Sequence, residues 1–300
     1  MPEVVPHGDR IDNLKWGLDV TNMYTYWMRK MTFIANSGGV PNEMEQLNAG
    51  YREERYAEDP NFTRFSSWNG GNPVGQFEYL SGTPELSKNF DDYDYTLENT
   101  MDAADQRHDV TTRVVISGTY TPNGFGSVAT RNGGGISFYY FKGNAIRVEA
   151  MRDMVNDRGQ IPQELRDAGL EQAIENVLAW NPNAFNSPTA SFSEGGIHFY
   201  YQGVCYYTVL IRHFSNNMVP VLMGYGRYGV VRNNVYQLSI NKIIGPGQPV
   251  INPPGTDPDD EDTSWISADV NIMRWYIRNQ NVEELSLIHI SEPTRRSYIS

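Results

Sequence analysis

Hydrophobic residues recur with a period of two along much of this chain. In residues 204–212, Cys205, Tyr207, Val209 and Ile211 fall on one side of an extended backbone, and Tyr206, Thr208, Leu210 and Arg212 on the other. From Val235 the pattern returns: Tyr236, Leu238 and Ile240 share a face, with Gln237, Ser239 and Asn241 opposite. Such alternation predicts antiparallel strands with one face buried and one wet. Asn233 and Asn234 suit turn geometry before the second strand, and Gly245-Pro246-Gly247 ends it.

The same grammar appears elsewhere. Residues 111–120 place Val114, Ile116 and Tyr120 on one face. Residues 136–141 and 145–151 read as strands flanking Lys142-Gly143-Asn144, a short hairpin signal. Residues 197–201 and 204–211 read as a second hairpin turning at Gln202-Gly203. One region reads as helix. Pro162 suits a first turn, Gly169 a C-terminal cap, and Ala173, Ile174, Val177 and Leu178 follow at helical spacing. The expected architecture is mainly β with a short helical excursion.

Composition narrows the function classes. The chain of 300 residues suggests one or two domains, and 39% hydrophobic residues allow a sizeable core. A net charge of −12 disfavours nucleic acid, because phosphate binding needs clustered Lys and Arg. Cys205 is the single cysteine, so an internal disulfide and multi-cysteine metal chemistry are excluded. Its apolar strand favours a buried structural thiol over a nucleophile. No stretch approaches the ~20 apolar residues of a membrane-spanning helix. The first residues, MPEVVPHGDRIDNLKW, lack the charged and apolar regions of a signal peptide.

Enzyme signatures fail on their structural context. GYGRYG (224–229) matches a dinucleotide pattern in spacing, but strand rather than helix follows it, so no helix N-terminus would face a pyrophosphate. HExxH, GxSxG and GxxxxGK[ST] are absent. His7, His108, His198 and His213 lack metal-ligand spacing; a hairpin over 197–213 could bring His198 and His213 together, but ordinary satisfied or exposed strand histidines are the favoured reading. The acidic run 257–262 lacks the glycine and distal Glu of an EF-hand loop and reads as a solvated linker. No catalytic residue, metal or cofactor is expected.

Several segments resemble the fimbrillins, the subunits of type V pili in Bacteroidia, chiefly their C-terminal domain. They are LENT (97–100), TTRVVISGTYTP (111–122), SFYYFKG (137–143), the 205–213 strand with its RH ending, and YGVVRNNVYQLSINKI (228–243). Their order adds specificity to each short match. The resemblance implies an antiparallel transthyretin-like β-sandwich with a short helical insertion, preceded by part of an N-terminal domain. It divides the chain into residues 1–92, an incomplete N-terminal domain beginning at an internal start; 93–250, the sandwich; and 251–284, an acidic linker and a C-terminal strand. Residues 285–300 begin LSLIHISEPTRR, which resembles a translated sequencing adapter, and are expected to take no part in the fold.

The resemblance also implies a function. Fimbrillins are exported as lipoprotein precursors to the outer membrane, trimmed by a protease, and joined by donor-strand exchange into a cell-surface fimbrium that supports adhesion. The implied partners are neighbouring pilus subunits in a head-to-tail homopolymer, anchor and tip subunits, and host or bacterial surface ligands. The implied donor residues are Ile266, Ala268, Val270, Ile272, Trp275 and Ile277. The first four alternate with polar residues, and Trp275 and Ile277 lie on the other parity, so a bulge is expected near Arg274. The competing reading is a surface adhesin or carbohydrate-binding β-sandwich, at a pilus tip or standing alone.

Overall fold

The computed structural model describes residues 8–23, 76–101, 103–126, 135–213, 226–259 and 265–274. Eleven strands are found among them: β1 (Arg10–Asp19), β2 (Thr21–Asn22), β3 (Phe77–Glu78), β4 (Arg113–Thr121), β5 (Phe138–Phe141), β6 (Asn144–Arg147), β7 (Phe192–Glu194), β8 (Ile197–Tyr200), β9 (Val204–Leu210), β10 (Asn234–Ile243) and β11 (Ile266–Arg274). Three helices, α1 (Val148–Asn156), α2 (Gln163–Asp167) and α3 (Leu170–Trp180), lie between β6 and β7. The strands form a three-stranded sheet in the order β1-β4-β9, a four-stranded sheet β6-β5-β8-β7, and the ribbons β10-β11 and β2-β3. Every pairing is antiparallel. The fold is therefore mainly β with few helices.

Alternation builds the central core. Val114, Ile116 and Tyr120 of β4 and Cys205 and Tyr207 of β9 point to one side, where they meet Ile243, Ile266 and the half-buried Tyr236, Leu238 and Ile240 of the β10-β11 ribbon. Phe138 and Tyr200 of the four-stranded sheet reach the same core, their rings stacked at 4.7 Å. The neighbouring Tyr139 and Phe199 point the other way, into a second core under the helices with Met151, Leu170, Ile174 and Val177. The four-stranded sheet thus separates two cores.

Sheet β1-β4-β9 departs from the expectation of one wet face. Val115 and Tyr206 point away from the central core and are buried under Ile251, Leu80 and Leu86. Those segments are far away in sequence, and they turn the outer face into a third core. The β1 edge strand also arrives from outside the expected sandwich boundaries, pairing Trp16 with Ile116 and Leu18 with Val114. At its end sits Val20, fully buried at φ +55°, a left-handed geometry that β-branched residues avoid. Its carbonyl accepts the Thr112 hydroxyl at 2.9 Å, and its amide donates to the Asp19 carboxylate at 2.9 Å.

Two connections correct the sequence reading. The turn at Lys142-Gly143 is the expected hairpin, with φ +43° and +89° as a type I′ turn requires. The turn at Gln202-Gly203 is not one. It lies in a 3-10 turn (Tyr201–Gly203), and β8 pairs with β5 and β7 while β9 pairs with β4. Both residues have positive φ, so the chain crosses from one sheet to the other instead of folding back. The second correction is α1. The strand expected over 145–151 stops at Arg147, because Val148, Met151 and Val155 recur at helical spacing and bury a stripe against the second core. The expected helix appears as two pieces. Pro162 caps α2, and Gly169, at φ +89°, breaks the chain before α3.

Candidate functional site

The C-terminal strand is built by complementary alternation. Strand β11 pairs with β10 in the register Ile266↔Ile243, Ala268↔Ile240, Val270↔Leu238 and Ile272↔Tyr236. Ile266 is buried, and Ala268, Val270 and Ile272 are half-buried, whereas Ser267 and Asp269 are exposed. The ribbon carries its irregularity in β10, between Ile240 and Lys242, where Asn241 is the extra residue. That bulge brings Ile243 onto the same face as Tyr236, Leu238 and Ile240. Asn241 donates its side-chain amide to the Asp269 carboxylate at 2.8 Å. Of the six residues expected to act in subunit contact, four are thus placed on one face of their own ribbon. Trp275 and Ile277 lie outside the described residues.

The segment leading to β11 is sewn to the domain. Gln248 and Tyr206 exchange both backbone hydrogen bonds at 2.8 Å, and Gly82 and Ile251 do the same at 2.8 and 2.7 Å. Further on, the His108 amide donates to the Asp257 carbonyl at 3.1 Å and the Asp259 amide to the Gln106 carbonyl at 3.2 Å. Thr111 donates its hydroxyl to the Asp259 carboxylate. Asp259 is only 2% exposed. The expected solvated acidic linker is therefore corrected at this residue: its carboxylate is buried because a buried hydroxyl takes it up.

The motifs that looked like short separate matches converge in space. Asn99 and Val230 exchange backbone hydrogen bonds at 2.8 Å, which joins the LENT segment to YGVVRNN. The buried Asn99 side chain donates to the Val110 carbonyl at 2.7 Å and to the Thr112 hydroxyl at 2.9 Å. Glu98 takes the Arg232 guanidinium, and its own carbonyl accepts from Asn22 at 2.6 Å. Arg113 pairs with the buried Asp19 at 2.6 Å. Sequence reasoning quoted Glu98, Asn99, Thr112, Arg113, Val230 and Arg232 within its signature segments and missed the partners that hold them. The pairs are separated by up to 134 positions, and no local pattern carries that information.

Each of the two histidines that could have approached across a hairpin has a hydroxyl partner of its own. His198 shares a 2.8 Å hydrogen bond with the Ser193 hydroxyl. His213 Nδ1 shares a 2.8 Å hydrogen bond with the Tyr236 hydroxyl, which also accepts the Val231 amide at 2.8 Å. Burial pushes both imidazoles below the ordinary histidine value. Burial likewise raises the Cys205 thiol to about 12. Among the described residues, no three His, Cys, Asp or Glu side chains converge as a metal site would need.

These observations describe a packing and pairing surface. No curated protein matches the chain. Residues 198–281 match the family model described as major fimbrial subunit protein type IV, Fimbrillin, C-terminal. That stretch begins in β8 and runs through β9, β10 and β11, so over these residues the chain is similar to the C-terminal domain of the fimbrillins, the family of major fimbrial subunits.

Proposed function

We propose that the chain is a structural subunit of an outer-membrane fimbrium, polymerising by donor-strand exchange, with the segment beginning at Ile266 as donor. The observation that carries this is the fimbrillin match over 198–281, which includes the whole of β11. The physical basis is β-augmentation: main-chain hydrogen bonds give affinity, and alternate side chains fill pockets. Ile266, Ala268, Val270 and Ile272 supply such an alternate set, continued in sequence by Trp275 and Ile277. A head-to-tail contact of this kind does not close, so it builds a filament. Anchor and tip subunits, surface ligands and a lipoprotein precursor belong to the same reading.

Residues 93–250 are then a transthyretin-like sandwich, 1–92 part of a first domain, 251–284 the linker and donor strand, and 285–300 a segment outside the fold. Strand β1 crosses the first boundary by pairing with β4. The test is Val270→Asp with Ile272→Asp in protease-trimmed subunit. Loss of polymer with an intact monomer fold is expected, and unchanged polymer length on a gel refutes the donor role.

A second reading, a carbohydrate-binding adhesin, rests on one place in the fold. An open cleft of about 430 Å³ is lined by Thr21, Glu78, Asp94 and Tyr95, among others. Tyr93 and Tyr95 are each 79% exposed. Exposed rings beside carboxylates suit stacking on neutral sugars and repel anionic ones. Glycan-array binding abolished by Tyr95→Ala supports this reading, and an array without hits removes it.

A further inference from the structure

We propose that Asp257, Pro258 and Asp259 form an intramolecular latch that keeps β11 paired to its own chain. The strap lies across residues 106–111 and is fixed at several points. The Asp257 carbonyl takes the His108 amide, Pro258 bridges to Arg107, and the Asp259 amide meets the Gln106 carbonyl. The Asp259 carboxylate takes the Thr111 hydroxyl. Thr111 and Gln106 are both 0% exposed and Asp259 2%. Burying a carboxylate against a hydroxyl is an expensive way to gain stability, since desolvation of the charge opposes the bond. What such a contact supplies is position: it fixes one point of the backbone.

The fixed point matters because of where it falls. Only residues 260–264 separate Asp259 from Trp265, which precedes β11 and packs edge-on against Tyr140. The next anchor back, Ile251 on Gly82, leaves residues 252–264 between. Loop-closure entropy favours the shorter tether by about fourfold in the pairing equilibrium of β11 with β10. Release of the strap lengthens the tether and lets β11 dissociate more often. In the donor-strand reading, on which this consequence rests, an open strap also extends the reach of β11 towards a neighbouring copy of the chain.

The experiment is native-state hydrogen exchange on full-length monomer carrying Asp259→Ala, with Thr111→Val as a second cut of the same contact and Thr111→Ser as the conservative rescue. The latch predicts faster exchange at β11 amides in both disrupting variants, by up to about fourfold where the whole strap from Asp257 to Asp259 lets go. Amides shared by β4 and β9 keep their wild-type rates, and Thr111→Ser behaves as wild type. Unchanged β11 exchange overturns the latch. So does an equal acceleration at β4 and β9, which makes the contact an ordinary contributor to global stability. Polymerisation is read separately. Faster β11 exchange with unaltered polymer yield keeps the latch and removes the donor-strand reading instead.

Discussion

Arg232 closes on Glu98: its Nε donates to the Glu98 carboxylate at 2.7 Å and its backbone amide to the same group at 3.2 Å. The Glu98 side chain is 9% exposed, so this is a nearly buried charge whose partner comes from 134 positions away in sequence. Arg232→Ala removes the guanidinium and leaves the carboxylate desolvated, and is expected to cost about 2 kcal/mol in urea unfolding. Arg232→Lys recovers only part of this, because an ammonium cannot reproduce the planar fork. Lys88 and Asp94, 3.6 Å apart and both over 30% exposed, provide the contrast. Lys88→Ala is expected to change stability by no more than about 0.5 kcal/mol. Equal costs for the two pairs would remove burial as the deciding variable.

Gly203 sits where the chain leaves the four-stranded sheet for β9. Its φ is +70°, and an added Cβ would stand 2.6 Å from the Tyr120 carbonyl oxygen. Backbone cannot move aside as a flexible side chain can. Gly203→Ala is therefore expected to destabilise by about 2–4 kcal/mol, combining left-handed strain with the clash. Gly143, at φ +89°, has open space where its Cβ would be. Gly143→Ala carries the conformational cost alone, about 1 kcal/mol. Thermal unfolding of the two variants separates the contributions.

Stability should fall on mild acidification. Burial depresses the His198 and His213 values in the folded state, while the unfolded chain titrates near the ordinary value of about 6.5. The unfolded state therefore binds protons first as pH drops. The contribution is complete above about pH 6.5 and is lost as pH falls towards the depressed folded values. Urea midpoints measured from pH 7.5 to 5.5 are expected to decline. The double variant His198→Gln, His213→Gln is expected to decline less over the same range. Parallel profiles would assign the acid sensitivity to other groups.

The strands were legible where one face is core and the other is not. Tyr236, Leu238 and Ile240 alternate with exposed Gln237, Ser239 and Asn241, as the period of two implies. Where a distant segment covers the second face, the pattern lost its meaning. Val115 and Tyr206 were assigned to the outer side of their strands, but only the fold brings Ile251 and Leu86 over them. Gln202-Gly203 announced a reversal without saying which sheet the chain would enter. Helix α1 was hidden because Val148 continues the period-two alternation of Ile146 in β6, and its stripe becomes visible only with Met151 and Met154 counted at helical spacing. Ile266, Ala268, Val270 and Ile272 were legible as an alternating set, whereas the Asp259–Thr111 tie was not, since a Thr and an Asp 148 positions apart carry no shared signal.

Cys205 offers a direct probe of how tightly the central core is closed. It is fully buried on β9, its thiol within 3.3 Å of the Gly118 carbonyl and 3.6 Å of the Tyr207 hydroxyl. Desolvation raises its pKa to about 12, so at pH 8 the nucleophilic thiolate is scarce even apart from access. The native protein is expected to resist an aromatic disulfide reagent at pH 8, and to react with one equivalent once unfolded in urea. Between those limits, the labelling rate reports the opening that separates the β10-β11 ribbon from the sheet beneath it. Gly245 and Gly247 accept the Tyr207 and Tyr200 hydroxyls at 2.8 and 2.6 Å, and these two bonds close the lower end of that seam. Tyr200→Phe removes the hydroxyl that bonds Gly247 and leaves the Tyr207 contact to the thiol in place, and is expected to speed Cys205 labelling several-fold for a cost of about 1 kcal/mol. Rapid labelling of the wild-type protein in the absence of denaturant would mean that the ribbon does not stay seated on the core.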